Sequence, residues 1–394
     1  MELAEMQVGQ NSPEARFVVS TVAEMEFMLP MFQRLQSQGR SVSVLYGMPL
    51  PLSHDNRLAR VGEHLGAGSI VLMIDHTSQL PALKSFHDQA GFPAGVFLKV
   101  DSGYHRAGLP PRALNKSRLL QRLVSWRAEG IISFKGLYSH SSLSYNNSTS
   151  TEAIESLLGE INGCLDAVRQ HSADLRGSGP LVLSVGASPQ VSVIQTLAKE
   201  NTPAGAKLVE TIERIQNEQY DGISVNLELH AGVYSVLDMQ QLSTRSSDIR
   251  NNHHDQCALT ILAEVISVYN DGERSKPEVL VVAGTLALGR EPCQSYAGWG
   301  VVAFDQGAGF PERQHRLVVE RISQEHSILS WEHSTLSLPE TAPEIPLSVG
   351  DTVHIVPNHA CVTGAMYEQY FVVDSSSTSS SRRIIGVWKR ARGW

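Results

Sequence analysis

The sequence has few cysteines. Cys164, Cys257, Cys293 and Cys361 are the only four in 394 residues, spaced too widely for a disulfide framework, so a reducing, cytoplasmic setting is expected. It has no long apolar run either. Stretches such as "IVLMI" (70–74) and "VLVVAG" (279–284) fall far short of a bilayer span. Positive charge is also in deficit: 32 Lys and Arg stand against 40 Asp and Glu, a net charge of −8, which argues against a nucleic-acid partner. The opening "MELAEMQVGQ" carries acids and no apolar core of the kind a secretory signal needs. What remains, 42% hydrophobic and 18% charged residues over this length, describes a globular protein with room for two domains and no membrane partner.

The first 230 residues alternate short apolar pieces with helical ones. Strands are expected at 17–21, 42–48, 69–75, 95–101, 134–140, 181–186 and 222–230, each β-branched and apolar as parallel strands buried on both faces should be. Helical patterns lie between them, for example 23–39 and 150–175. Repeated βα of this kind reads as a (β/α) barrel or a doubly wound sheet. Seven strands are present where a closed barrel has eight, so the first strand of such a barrel is expected to be missing from this chain. From about 231 to 394 strands follow one another without helices, at 258–269, 277–289, 300–304, 316–323, 351–357, 369–375 and 382–390. That is an antiparallel β-domain, entered through a polar linker or insertion at 243–256 and carrying a Ser-rich loop at 375–381.

Five stretches could carry chemistry. In "FLKVDSGYHRAG" (97–108) Lys99 and Asp101 fall on one side of a strand end, with Arg106 close by; a core Lys–Asp pair and a catalytic group are both compatible with that pattern. In "GLYSHSSLSY" (136–145) Tyr138 and His140 share a strand face and Tyr145 follows, a set that would stack on a flat ring or simply pack. "LSVGASPQ" (183–190) places Gly186 and Ser188 at a strand-to-helix turn, a weak phosphate-cradle signal. His230, Tyr234 and Asp238 stand near the expected domain boundary. Finally, if His359 and Cys361 continue the strand at 351–357, they point the same way. That is the spacing of an N and an S ligand to zinc, although packing is the commoner outcome for a lone H-x-C.

Taken in order, "VDSGYHRAG", "GLYSHSSLSY", "SVGASP", "ISQEHSIL" and "PNHACVT" resemble the zinc-dependent eukaryotic D-serine dehydratases, relatives of the D-threonine aldolases and the alanine racemase-like pyridoxal phosphate (PLP) enzymes. The resemblance spans nearly the whole chain and implies a PLP-binding barrel followed by a β-domain carrying a zinc site. It implies cofactor contacts at Arg106, Tyr138, His140, Tyr145, Gly186 and Ser188, and zinc ligands at His359 and Cys361. The implied reaction converts D-serine to pyruvate and ammonia, in a homodimer. A D-threonine aldolase, a D-threo-3-hydroxyaspartate dehydratase or a non-catalytic PLP-binding relative are the alternatives. One departure matters. The family's Schiff-base lysine ends the first barrel strand, just ahead of the helix with which this chain opens, and none of the eight lysines (84, 99, 116, 135, 199, 207, 276, 389) stands in for it by sequence position. Lys99, seven residues before Arg106, matches instead the lysine that accompanies this arginine in alanine racemases. No catalytic residue is therefore assigned. Ser188 also stands where Thr is expected in the family.

Overall fold

A computed structural model describes residues 1–194, 202–244, 256–303, 316–332, 342–374 and 383–393. The chain forms two compact units. The first comprises 1–143, 154–230 and 368–394, and the second comprises 144–153 and 231–367. The division at 230/231 falls where the sequence pattern changes, but the last strand pair groups with the first unit rather than with the β-domain. Most of the expected linker at 243–256 and of the Ser-rich loop at 375–381 lies outside the described residues.

In the first unit seven strands form one parallel sheet in sequence order: β1 (Glu14–Val19), β2 (Ser41–Pro49), β3 (Ile70–Ile74), β4 (Ala94–Lys99), β5 (Ile132–Tyr138), β6 (Leu181–Val185) and β7 (Val225–Leu229). The central strands are buried on both faces, as their unbroken apolar runs require: every residue of β3 and β4 is buried. Helix α1 (Glu2–Val8) precedes β1, and the others lie between the strands: α2 (Val22–Ser37), α3 (Asp55–Leu65), α4 (Leu80–Ala90), α5 (Leu119–Ala128), α6 (Ser150–Gln170), α7 (Ser172–Leu175), α8 (Ser188–Ile194) and α9 (Pro203–Asn217). Their starts are written in the sequence. The Thr21 hydroxyl accepts the Glu24 N–H at the head of α2, and Thr202 accepts the Gly205 N–H ahead of Pro203 in α9. Met25, Met28, Met31, Phe32 and Leu35 form the buried face of α2, each contributing about 1.5–3 kcal/mol by leaving water. The sheet is open. β1 and β7 each pair on one side only, and the Arg16–Glu228 ion pair joins these two edges.

In the second unit β8 (Ile261–Tyr269), β9 (Glu278–Val281), β10 (Gly300–Ala303), β11 (Leu317–Ile322), β12 (Ser327–Trp331) and β13 (Thr352–Pro357) close an antiparallel barrel in the order β10-β11-β12-β9-β8-β13. Its core is Val265, Val279, Val281, Leu317, Val319, Leu329 and Ile355. β14 (Gln369–Val373) and β15 (Ile384–Lys389) form a separate pair. Two expectations are corrected here. The stretch 277–289 is not one strand: it stops at Val281, and Gly284 passes so close to the Gln324 carbonyl (2.4 Å from where a Cβ would sit) that the chain turns into a short helix, Thr285–Leu288. Residues 327–331 form a strand that the pattern did not reveal, because the turn closed by Ser323 N–H to His326 C=O leaves no glycine or proline to mark it.

Candidate active site

The functional side chains of the first unit gather at the C-terminal ends of neighbouring strands because parallel register carries them there. Lys99 ends β4 and pairs with Tyr138, which ends β5; Tyr138 pairs with Ser184 on β6, and Ser184 with Glu228 on β7. His140 and His230 follow Tyr138 and Glu228 by two residues each. The Tyr138 ring stacks on the His230 imidazole at 4.4 Å between centroids and 4° between planes. The Lys99 Nζ sits 4.6 Å from the centroid of the same Tyr138 ring. His140 is tilted against His230, its centroid 5.6 Å away.

Glycine makes the close approach possible. Gly186 has φ +128°, and a Cβ there would lie 2.8 Å from the His230 carbonyl oxygen. The Gly186 carbonyl accepts a hydrogen bond from His140 Nδ1 at 2.7 Å, which places the proton of neutral His140 on Nδ1. His230 Nδ1 and the Ser184 hydroxyl are 3.1 Å apart. The other His230 nitrogen, Nε2, is buried with no hydrogen-bond partner among the described residues.

Burial sets the charges. It pushes the Lys99 ammonium down to about 8; the nearby Arg106 charge acts in the same sense, while Glu160, Cys164 and Asp75 oppose it. Burial lowers His140 to about 4 against the opposing Gly186 hydrogen bond, and takes His230 well below the ordinary histidine range. Burial likewise raises the Tyr138 phenol, so it stays protonated. The cluster is thus a dry, cationic place with two neutral imidazoles.

The histidines carry a stability consequence. A histidine whose folded pKa lies below its unfolded value takes up a proton on unfolding between those two pH values, so stability falls as pH falls through that window. From about 6.5 down to 4, His140 alone is expected to cost about 3 kcal/mol, with His230 adding in the same direction. Urea unfolding at pH 7.5 and pH 5 should show about 2 kcal/mol of the His140 part, and His140→Asn should flatten the dependence.

Two readings from sequence change. Asp101 does not pair with Lys99. It lies past the end of β4 and accepts from Gly103 N–H, His105 N–H (both 3.0 Å) and His105 Nδ1 (2.7 Å), closing the loop that carries Arg106. Arg106 is exposed and reaches the Ser142 hydroxyl at 3.3 Å. Ser188 is buried at the head of α8. Tyr145 lies in the turn Ser142–Asn146, in the segment that belongs to the second unit. Tyr234 and Asp238 also belong to the second unit. The pattern also passed over Glu160, Cys164 and Gln190. Glu160 is buried on α6 and accepts from Gln190 Nε2 at 2.8 Å. A signal existed: Ala153, Leu157, Glu160 and Cys164 follow helical spacing on the buried stripe of α6, where an acid is out of place.

The H-x-C stretch is not a strand. β13 ends at Pro357, His359 is the extended residue capping the short helix Ala360–Ala365, and Cys361 lies in that helix's first turn. Two-apart strand geometry therefore does not apply. The turn is nevertheless firmly held. Asn358 Nδ2 donates to the Glu291 and Gly298 carbonyls at 2.8 Å each, its Oδ1 accepts from the Tyr296 hydroxyl, and buried Asp238 accepts the Ala360 N–H at 2.8 Å. His359 Nδ1 is buried without a hydrogen-bond partner among the described residues; Glu291 Oε2 stands 3.7 Å away. Cys361 is exposed.

The alanine racemase N-terminal domain family matches residues 6–196, and a putative serine dehydratase domain family matches 258–373. The chain is 29% identical to the D-serine dehydratase of Schizosaccharomyces pombe over 99% of its own length and 81% of that protein's. It is 28% identical to the D-serine dehydratase of Saccharomyces cerevisiae, over 98% and 84%. Among solved structures, D-threo-3-hydroxyaspartate dehydratase from Delftia sp. HT23 has the same fold, with a TM-score of 0.66 at 23% identity, covering 96% of this chain and 84% of that one. Among the described residues, no helix is long and apolar enough to cross a membrane.

Proposed function

The chain is a homologue of the eukaryotic D-serine dehydratases, an alanine racemase-type domain followed by a serine dehydratase-type domain, and on that premise we propose that it is a PLP-dependent lyase converting D-serine to pyruvate and ammonia. The observation that carries the reading is the buried row at the ends of β4, β5 and β7: Lys99 over the Tyr138 ring, and that ring stacked on the His230 imidazole. These residues fit the cofactor. Lys99 and Arg106 supply positive charge for a phosphorylated ligand, Tyr138 and His230 a flat wall for its ring, and His230 Nε2 a buried nitrogen without a hydrogen-bond partner among the described residues. Gly186 and Ser188 at the head of α8 would hold the phosphate; the family also implies a contact at Tyr145, which belongs to the second unit.

Bound there, PLP would supply an electron sink for the pair left when the substrate Cα proton departs. The protein's own groups prepare that step. Neutral His140 and His230 place no like charge beside Lys99 and Arg106. Burial excludes water from the Tyr138–His230 face, so hydrogen bonds made there are strong. Lys99 is about one-tenth unprotonated at pH 7 and can hold or pass a proton at Nζ. In the second unit, His359 and Cys361 would hold a zinc ion, a Lewis acid suited to polarising a hydroxyl leaving group. The buried His359 Nδ1, without a hydrogen-bond partner among the described residues, fits that role. A cytoplasmic homodimer remains part of the proposal.

The test is turnover. With PLP and zinc added, D-serine should yield pyruvate and ammonia in equal amounts, and L-serine should not. Cleavage of D-threonine without pyruvate from D-serine would place the chain with the aldolases, and preference for D-threo-3-hydroxyaspartate with the other dehydratase.

A further inference from the structure

Glu160 and Gln190 are polar side chains buried deep in the first unit. Glu160, on the apolar stripe of α6, is 1% exposed, and Gln190, on the first turn of α8, is fully buried. Groups of this kind stay in an interior only when they are paired. Gln190 Nε2 donates to Glu160 Oε1 at 2.8 Å, a bond that ties α6 to α8. An amide held on a buried carboxylate is a stiff tie, because any slide breaks the bond and leaves both groups dry and unpaired.

The tie acts on the two turns that follow β5 and β6. Gln190 stands two residues past Ser188, so it anchors the first turn of α8, where the Val191 N–H returns to the Ala187 carbonyl at 3.0 Å. The same carboxylate is bound up with the turn after β5. The Ser141 N–H and the Ser139 hydroxyl, one on each side of His140, favour its charged form, as does the Lys99 ammonium. His140 Nδ1 in turn donates to the Gly186 carbonyl at 2.7 Å, and the Ser139 N–H to the Ser184 carbonyl at 2.9 Å. Gly186, at φ +128°, has no side chain with which to hold its own turn. The turn is held from outside, by His140 at Gly186 and by Glu160 at Gln190.

We propose that Glu160 and Gln190 are positioning residues for the phosphate of the cofactor, their bond fixing the turn at Gly186 and Ser188 in the shape that receives it. This rests on the reading of the site given above. The pair acts through the turn and not through the ring, so it governs the preference for a phosphorylated ligand over the same ring without phosphate.

Equilibrium dialysis of the whole protein against PLP and against pyridoxal gives the two dissociation constants and their ratio. The parent is expected to hold PLP far more tightly. Gln190→Met, similar in shape but without a donor, should cut that preference about tenfold, the order of one hydrogen bond to a charged group, by weakening PLP and leaving pyridoxal unchanged. Glu160→Leu should do the same, whereas Glu160→Gln, which keeps an accepting oxygen, should stay within about threefold of the parent. Each of the first two replacements is a test by itself, should the other not fold. An unchanged ratio would overturn the proposal, as would equal weakening of both ligands, the mark of a merely structural role; in either case the parent's preference for PLP leaves the cofactor site standing. A parent that binds the two ligands alike, or neither, would overturn the reading of the site and the proposal with it.

Discussion

Replacing Gly136 by alanine is expected to destabilise the first unit by about 3–6 kcal/mol, enough to leave little folded protein at 37 °C. Gly136 sits within β5 at φ +140°, and a Cβ there would lie 2.1 Å from the Val182 carbonyl oxygen and 2.6 Å from the Val182 nitrogen. Neither atom can retreat, because both belong to β6, which is paired with β5 on one side and β7 on the other. The strained φ and the backbone collision add, and both fall where the register between β4 and β5 shifts so that Phe97 meets Gly136 and Lys99 meets Tyr138. The variant should therefore also lose the Lys99–Tyr138 alignment. Gly159→Ala is the control. It lies in α6 with nothing within 4 Å, and should gain about 0.5–1 kcal/mol from better helix propensity. Urea unfolding compares the two. A Gly136→Ala protein within 1 kcal/mol of the parent would contradict the packing described.

The second large effect is expected at His359 and Cys361. His359→Ala or Cys361→Ser should reduce bound zinc from one per chain to near none and lower turnover of D-serine by about a thousandfold, the order set by several kcal/mol of lost Lewis-acid stabilisation. Circular dichroism should not change, because the turn is held by Asn358 and Asp238, which neither substitution touches. Zinc should restore a chelated parent protein where magnesium does not, since an imidazole and a thiolate suit zinc and oxygen ligands suit magnesium. Elemental analysis beside a pyruvate assay checks both parts. Unchanged zinc in both variants would contradict the assignment.

The parallel strands were legible because burial on both faces leaves an unambiguous apolar run: all seven lie within a few residues of where the pattern put them. The β-domain was less so. β12 is short and enters from a turn without glycine or proline, and β9 stops at a close backbone approach that only the folded chain creates. At the site, Tyr138, His140 and Gly186 could be named from strand ends, but the stack that joins Tyr138 to His230 depends on register between β5, β6 and β7, which no single segment encodes. Lys99 shows the difference most sharply. Sequence position marked it only as a charged group at a strand end, and its burial against the Tyr138 ring depends on the register of β4 and β5. His359 shows the reverse, since its two-residue spacing from Cys361 suggested a strand where Asn358 in fact turns the chain into a helix.

A crystal structure of the protein soaked with PLP would show whether the row Lys99, Tyr138 and His230 is the cofactor site. The expected density is a planar ring in contact with Tyr138 and His230, with His230 Nε2 hydrogen-bonded and the phosphate against the turn at Gly186 and Ser188. Density for the cofactor at any other place on the chain would contradict it, as would an empty row in crystals whose absorbance shows that the cofactor is bound.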